Sequence, residues 1–175
     1  RPTRRHTRRP TAHRPPAGGY GPPMAEDRDA KPSYLGLLNA IAVGESQAAE
    51  YFAAWIETTT DDRVRAVLTT VQLREAEHAM AFRKRIDELG FAMRVREDPD
   101  QAGRMELVRS TELSDREKLE RLGLTKAPRN GEPDIFDRFF ENKDLDPVTG
   151  GLLGRYLAEE RDTAKLLAGC YAALS

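Results

Sequence analysis

A stripe of residues spaced three and four apart, Val64, Leu68, Val71, Glu75, His78, Phe82, Ile86 and Leu89, constrains this chain more than any other feature. Its period is that of an α-helix with one buried face. Glu75 and His78 change the chemistry of the stripe without breaking its spacing. Three residues apart, they lie one turn from each other on the same face, where packing favours leucine. His78 is also the only histidine outside residues 1–23. A buried carboxylate and a buried imidazole both need partners.

Two further stripes have the same form. One predicts a helix from about Ser33, as its N-cap, to about Thr58, carrying Leu38, Ile41, Glu45, Ala48, Phe52 and Trp55. The helix with Glu75 is expected to start near Thr60 or Asp61 and to stop at Gly90. The other predicts a helix from Asp146-Pro147 almost to the end, carrying Leu153, Leu157, Glu160, Ala164, Leu167, Tyr171 and Leu174. No segment alternates with a period of two, so no strand is expected.

Residues 91–145 are less regular. Asp98-Pro99 can open a helix carrying Met105 and Val108, and Ser114 to Glu117 spells a capping box ahead of Leu119 and Leu122. Pro128, Gly131 and Pro133 then interrupt the pattern, and Phe136, Phe139 and Phe140 read as an aromatic plug on the bundle. The expected fold is all-α: an antiparallel four-helix bundle with a long crossover and a broken third helix.

Composition separates a tail from a body. Residues 1–23 hold six arginines, six prolines and no acid. They bury too little apolar surface to fold and read as a disordered basic tail. Met24-Ala-Glu-Asp27 reads as an ordinary start, which makes the tail an extension upstream of the native one. Taking those six arginines from the 28 basic residues leaves 22 against 29 acidic ones, so residues 24–175 form an acidic body of net charge −7. A basic arm supplies only salt-sensitive attraction to nucleic acid, and no nucleic-acid partner is expected. The single cysteine, Cys170, excludes an intramolecular disulfide framework and a cysteine-built zinc site, and reads as core packing. No apolar run spans a bilayer and no secretory signal is evident, so a cytoplasmic protein is expected. Arg83-Lys84-Arg85 reads as the solvent side of its helix.

Each of the three clear stripes carries an acid at its middle: Glu45, Glu75 with His78, and Glu160. Acids are seldom fully buried alone, and gathering three raises the penalty through mutual repulsion. A cation offsets both effects. Carboxylate oxygen with imidazole nitrogen suits iron or manganese, accommodates zinc, and argues against a pure calcium site.

The pattern resembles the ferritin-like di-metal carboxylate superfamily, and within it the small rubrerythrin-like proteins. In that fold two helices each give a Glu and two each give a Glu-x-x-His pair. By position, the resemblance implies Glu45 as first-helix ligand, Glu75 as bridging carboxylate with His78 as its histidine, and Glu160 as fourth-helix carboxylate. The chain departs from the pattern in two places. Thr163, not histidine, follows Glu160 by three residues, and Glu159 or Asp162 would have to give a substitute oxygen. The third-helix acid stays open between Glu112, Asp137 and Glu141. Paired Cys-x-x-Cys motifs are lacking, so no rubredoxin-type module accompanies the bundle.

The resemblance implies a centre of two irons, or iron with manganese, that reacts with dioxygen or peroxide in a ferroxidase, peroxidase or iron-handling role. An oxygenase acting on an organic or tRNA substrate uses the same scaffold. The residues also allow a different class: a metal-free or single-metal bundle, dimeric, with a structural or interaction role. There Glu75 and His78 pair internally, Glu45 meets Tyr34, Tyr51, Tyr156 or Arg155, and Glu160 belongs to a solvated face.

Overall fold

The computed structural model describes residues 31–95, 97–127 and 137–174. The expected tail and Phe136 lie outside the described residues, as does the side chain of Asp137. Among the described residues the chain is all-helical, without strands, in five α-helices and one 3-10 turn. Helix α1 spans Leu35–Thr58, α2 Asp62–Glu88, α3 Gln101–Arg109, α4 Asp115–Arg121 and α5 Pro147–Ala173, with the 3-10 turn at Asp137–Glu141. No described helix is long and apolar enough to cross a membrane.

Local chemistry sets most of the helix ends. Asp61 caps α2, its carboxylate accepting from the backbone N–H of Arg63 and Val64. Asp146 does the same for α5 through Val148 and Thr149, with Pro147 in the first turn where its missing N–H matters least. Gly90 takes φ +84 after α2, a conformation that favours glycine, and lets Phe91 N–H reach back to Ile86 O. The capping box between Ser114 and Glu117 forms at α4 as expected. Ser33, however, does not cap α1. Tyr34 holds that position without a side-chain bond, and the Ser33 hydroxyl instead donates to Asp144.

Burial follows the stripes. One apolar cluster joins Leu38, Ile41, Phe82, Ile86, Leu153 and Tyr156; a second joins Phe52, Trp55, Val64, Leu68, Val71, Val108, Leu119 and Leu167. The first cluster takes the beginning of α1, the end of α2 and the beginning of α5. The second takes the opposite ends. Helix α2 therefore runs antiparallel to both α1 and α5. Between the clusters, at mid-height on all three rods, lie the positions of Glu45, Glu75, His78 and Glu160.

Two expectations about surfaces need correcting. Arg83 and Lys84 face solvent, but Arg85 does not: its Nε donates to Thr149 Oγ1 at 2.9 Å and its Nη2 sits 2.9 Å from Asp146 Oδ2. That pair fastens the end of α2 to the start of α5. Of the aromatic plug, Phe139 packs on the first cluster while Phe140 is exposed.

Candidate metal centre

Glu45 comes from α1, Glu75 and His78 from α2 and Glu160 from α5. Each of the four offers one ligand atom, and these atoms all lie within 4.8 Å of one another. Glu45, Glu75 and His78 are buried, at 8, 4 and 4 % exposure, and Glu160 is half-buried. A buried glutamate and histidine group of this kind can hold a metal ion.

The hydrogen bonds show which atoms are spoken for. Tyr156 Oη donates to Glu45 Oε1 at 2.8 Å. The other oxygen, Glu45 Oε2, has no hydrogen-bond partner. His78 is held from one side: Nε2 lies 2.7 Å from Glu159 Oε2, while Nδ1 is 3.4 Å from Glu160 Oε1 and 3.9 Å from Glu45 Oε2. Neither His78 Nδ1 nor Glu160 Oε1 has a hydrogen-bond partner. Buried polar atoms are almost always satisfied, so three orphans turned toward one point call for an explanation. A cation that takes a lone pair from each supplies it, and the donor set fits such an ion.

Protons carry the charge balance of the group by itself. Burial and the neighbouring Glu45 carboxylate push Glu75 up to about 11. Burial works against a charged ring at His78, but Glu160, Glu45 and Glu159 outweigh it and raise its pKa to about 10. Glu45 is held below the ordinary value despite its burial, because His78, Glu75 and Tyr156 all stabilise its carboxylate. Burial raises Glu160, with His78 opposing. At neutral pH the group thus keeps one proton on Glu75 and one extra proton on His78. A metal ion competes for the same lone pairs.

Aromatic rings stand beside the site. Tyr156 stands edge-on to His78, 5.0 Å between centroids, and edge-on to Phe82 at 5.2 Å. Burial and the Glu75 and Glu45 charges raise the Tyr51 hydroxyl well above its ordinary value.

The remaining candidates do not converge. Glu159 reaches only the far nitrogen of His78, and its second oxygen accepts from Arg155 Nε at 3.0 Å. Asp162 turns outward to Arg74, 2.7 Å away. Glu112 is exposed in the turn between α3 and α4, and Glu141 is exposed at the end of the 3-10 turn. Among the described residues, helices α3 and α4 bring no Asp, Glu, His or Cys to the group. Sequence reading offered Tyr156 as one of four partners for Glu45, and the others do not bond to it among the described residues. The role of Glu159 as the anchor of His78 was missed. Its signal was present in the adjacent pair Glu159-Glu160, where one acid can face the ion and the other the imidazole behind it.

No known protein family, curated protein or solved structure matches this chain.

Proposed function

We propose that the chain is a ferritin-like metalloprotein whose buried glutamate–histidine centre binds iron or manganese and reacts with dioxygen or peroxide, in a ferroxidase, peroxidase or iron-handling role. The observation that carries this reading is the convergence of Glu45 Oε2, His78 Nδ1 and Glu160 Oε1, three buried atoms without partners, from three separate helices. The helix directions support it too. A single long crossover after α2 makes the last rod run parallel to the first, whereas simple up-down connections make it antiparallel. Here α5 is parallel to α1, as the two apolar clusters require. The short α3 and α4 correspond to the broken third rod.

The bound metal would supply one-electron chemistry toward the oxidant. The chain's own residues do the rest. Glu45, Glu75, His78 and Glu160 bind; Glu159 orients the His78 ring and fixes which nitrogen faces inward. Tyr156 fixes the Glu45 carboxylate, and with Phe82 it closes the first apolar cluster against water. The reading includes a homodimer, which light scattering tests.

A second reading, a metal-free structural bundle, is favoured by the raised pKa values of Glu75 and His78, whose protons can balance the acids without an ion. Metal analysis separates the two. Protein from iron-supplemented cells should carry iron, should lose thermal stability on chelation, and should oxidise added ferrous iron faster than its His78→Ala variant. Iron near zero, with stability unchanged by chelator, selects the structural bundle. In that case His78→Ala costs about 1–3 kcal/mol of stability and nothing else.

A further inference from the structure

Arg74 directly precedes Glu75, and its guanidinium reaches across to α5. Nη1 lies 2.7 Å from Asp162 Oδ2 and donates to Thr163 Oγ1 at 3.3 Å. Thr163 is buried and sits three residues after Glu160. A Glu-x-x-His pair on this helix would have its histidine at that position. A hydroxyl bonded to arginine stands there instead. The Arg74 charge is felt by the site acids, since it favours the ionised form of both Glu75 and Glu160.

The free donor atoms are few. Glu45 Oε1 is taken by Tyr156 and His78 Nε2 by Glu159. Glu45 and His78 are left with one unpartnered atom each; Glu160 turns the unpartnered Oε1 inward, and Glu75 adds its carboxyl group. A ferritin-like pair of ions draws on six side chains from four helices. Two ions about 3.5–4 Å apart depend on carboxylates that can use both oxygens. Four groups, one of them fixed through its second oxygen, suit a single ion that completes its shell with water or oxidant. A guanidinium beside the same acids adds repulsion against a second cation.

We infer that this centre holds one metal ion per chain, not two, and that Arg74, fastened by Asp162 and Thr163, stands in for the second cation. The inference rests on the proposal above that the group binds metal at all. It also gives Asp162 a role as the residue that positions Arg74.

The test uses the full chain, stripped with chelator and titrated without oxygen, with manganous ion and separately with ferrous ion. Ions per chain are counted by native mass spectrometry, and the manganese signal is read by electron paramagnetic resonance. One ion per chain, with an uncoupled manganese spectrum, is expected. Two ions per chain, or the spectrum of a coupled pair, overturns the inference and leaves the metal reading standing. No binding of either ion overturns the metal reading itself. Arg74→Gln should tighten manganese binding by about three- to tenfold by removing a nearby positive charge, while Arg74→Lys leaves it unchanged. Equal affinity in wild type and Arg74→Gln removes Arg74 from the proposal.

Discussion

His78 Nε2 lies 2.7 Å from Glu159 Oε2, while Nδ1 on the opposite side of the ring turns to Glu45 and Glu160 without a hydrogen-bond partner. The two nitrogens therefore have separate tasks. One is held by a half-buried carboxylate, itself tied through Arg155 to Glu77 on α2. The other is available to an ion. Carboxylates behind a histidine fix its tautomer and raise its basicity as a ligand.

Glu159→Ala should weaken manganese or ferrous binding by about 10- to 100-fold without unfolding the chain, because it removes the anchor of His78 and no inward donor. Affinity measured by titration calorimetry, with helix content by circular dichroism as control, decides this. An unchanged affinity would show that the ring keeps its orientation by packing against Tyr156 alone.

The protons of the unloaded group predict a pH dependence with a definite sign. Glu75 is raised from 4.5 to about 11 and His78 from 6.5 to about 10. Both groups bind their proton more tightly in the folded chain, so the folded chain holds more protons than the unfolded one between those values. Their contribution is complete below the unfolded values and is lost as pH rises toward the folded ones. The metal-free protein should therefore lose thermal stability from pH 6.5 to pH 9. Metal displaces the same protons, so the stabilisation it confers should grow over that interval. Melting curves with and without manganous ion check both slopes. A metal-free midpoint that climbs with pH contradicts the assignment.

Glu75→Gln separates the two states of the site. The amide matches the shape of a protonated acid and can donate to Glu45, so at pH 7 the metal-free variant should lie within about 1 kcal/mol of wild type. At pH 9 it should be the more stable of the two, since it has no proton to lose. It should no longer be stabilised by metal, having given up one charged ligand. A large loss of metal-free stability at pH 7 would mean that Glu75 is ionised in the unloaded chain.

The stripes made the three long helices and the acids at their middle legible, because a period near 3.6 residues records which face is buried. Asp61, Ser114, Asp146 and Gly90 marked helix ends because each has a local bond or conformation to satisfy. Three things stayed hidden for a common reason: they depend on how one helix is rotated against another. The stripe turns Glu160 inward, but the sequence Glu159-Glu160-Arg161-Asp162 does not say that Glu159 meets the back of His78 and Asp162 the Arg74 side chain. The inward turn of Arg85 is likewise set by Thr149 and Asp146, some sixty residues away in sequence. Helices α3 and α4 were legible from the Asp98-Pro99 opening and the Ser114 capping box, but not where they dock, because bonds to α1 rather than a stripe of their own hold them there.

Those bonds yield a prediction independent of metal. Asp115 accepts from Trp55 Nε1 and Thr59 Oγ1, each at 2.6 Å, and so fastens α4 to the end of α1. Beside it Lys118 is 1 % exposed and donates to Thr58 Oγ1 and Val108 O. Burial lowers the Lys118 pKa, and the Asp115 charge is what opposes that fall. Asp115→Ala leaves the indole N–H and the Thr59 hydroxyl without an acceptor and leaves Lys118 without a neighbouring acid. The loss should be about 2–4 kcal/mol in urea unfolding, larger than for an ordinary surface change. Metal affinity should stay at the wild-type value, since among the described residues no Asp, Glu, His or Cys of α3 or α4 joins Glu45, Glu75, His78 and Glu160. If a folded Asp115→Ala protein loses metal instead, the capping end and the centre are coupled, and the separation of the two apolar clusters by the polar layer is not the boundary it is taken to be.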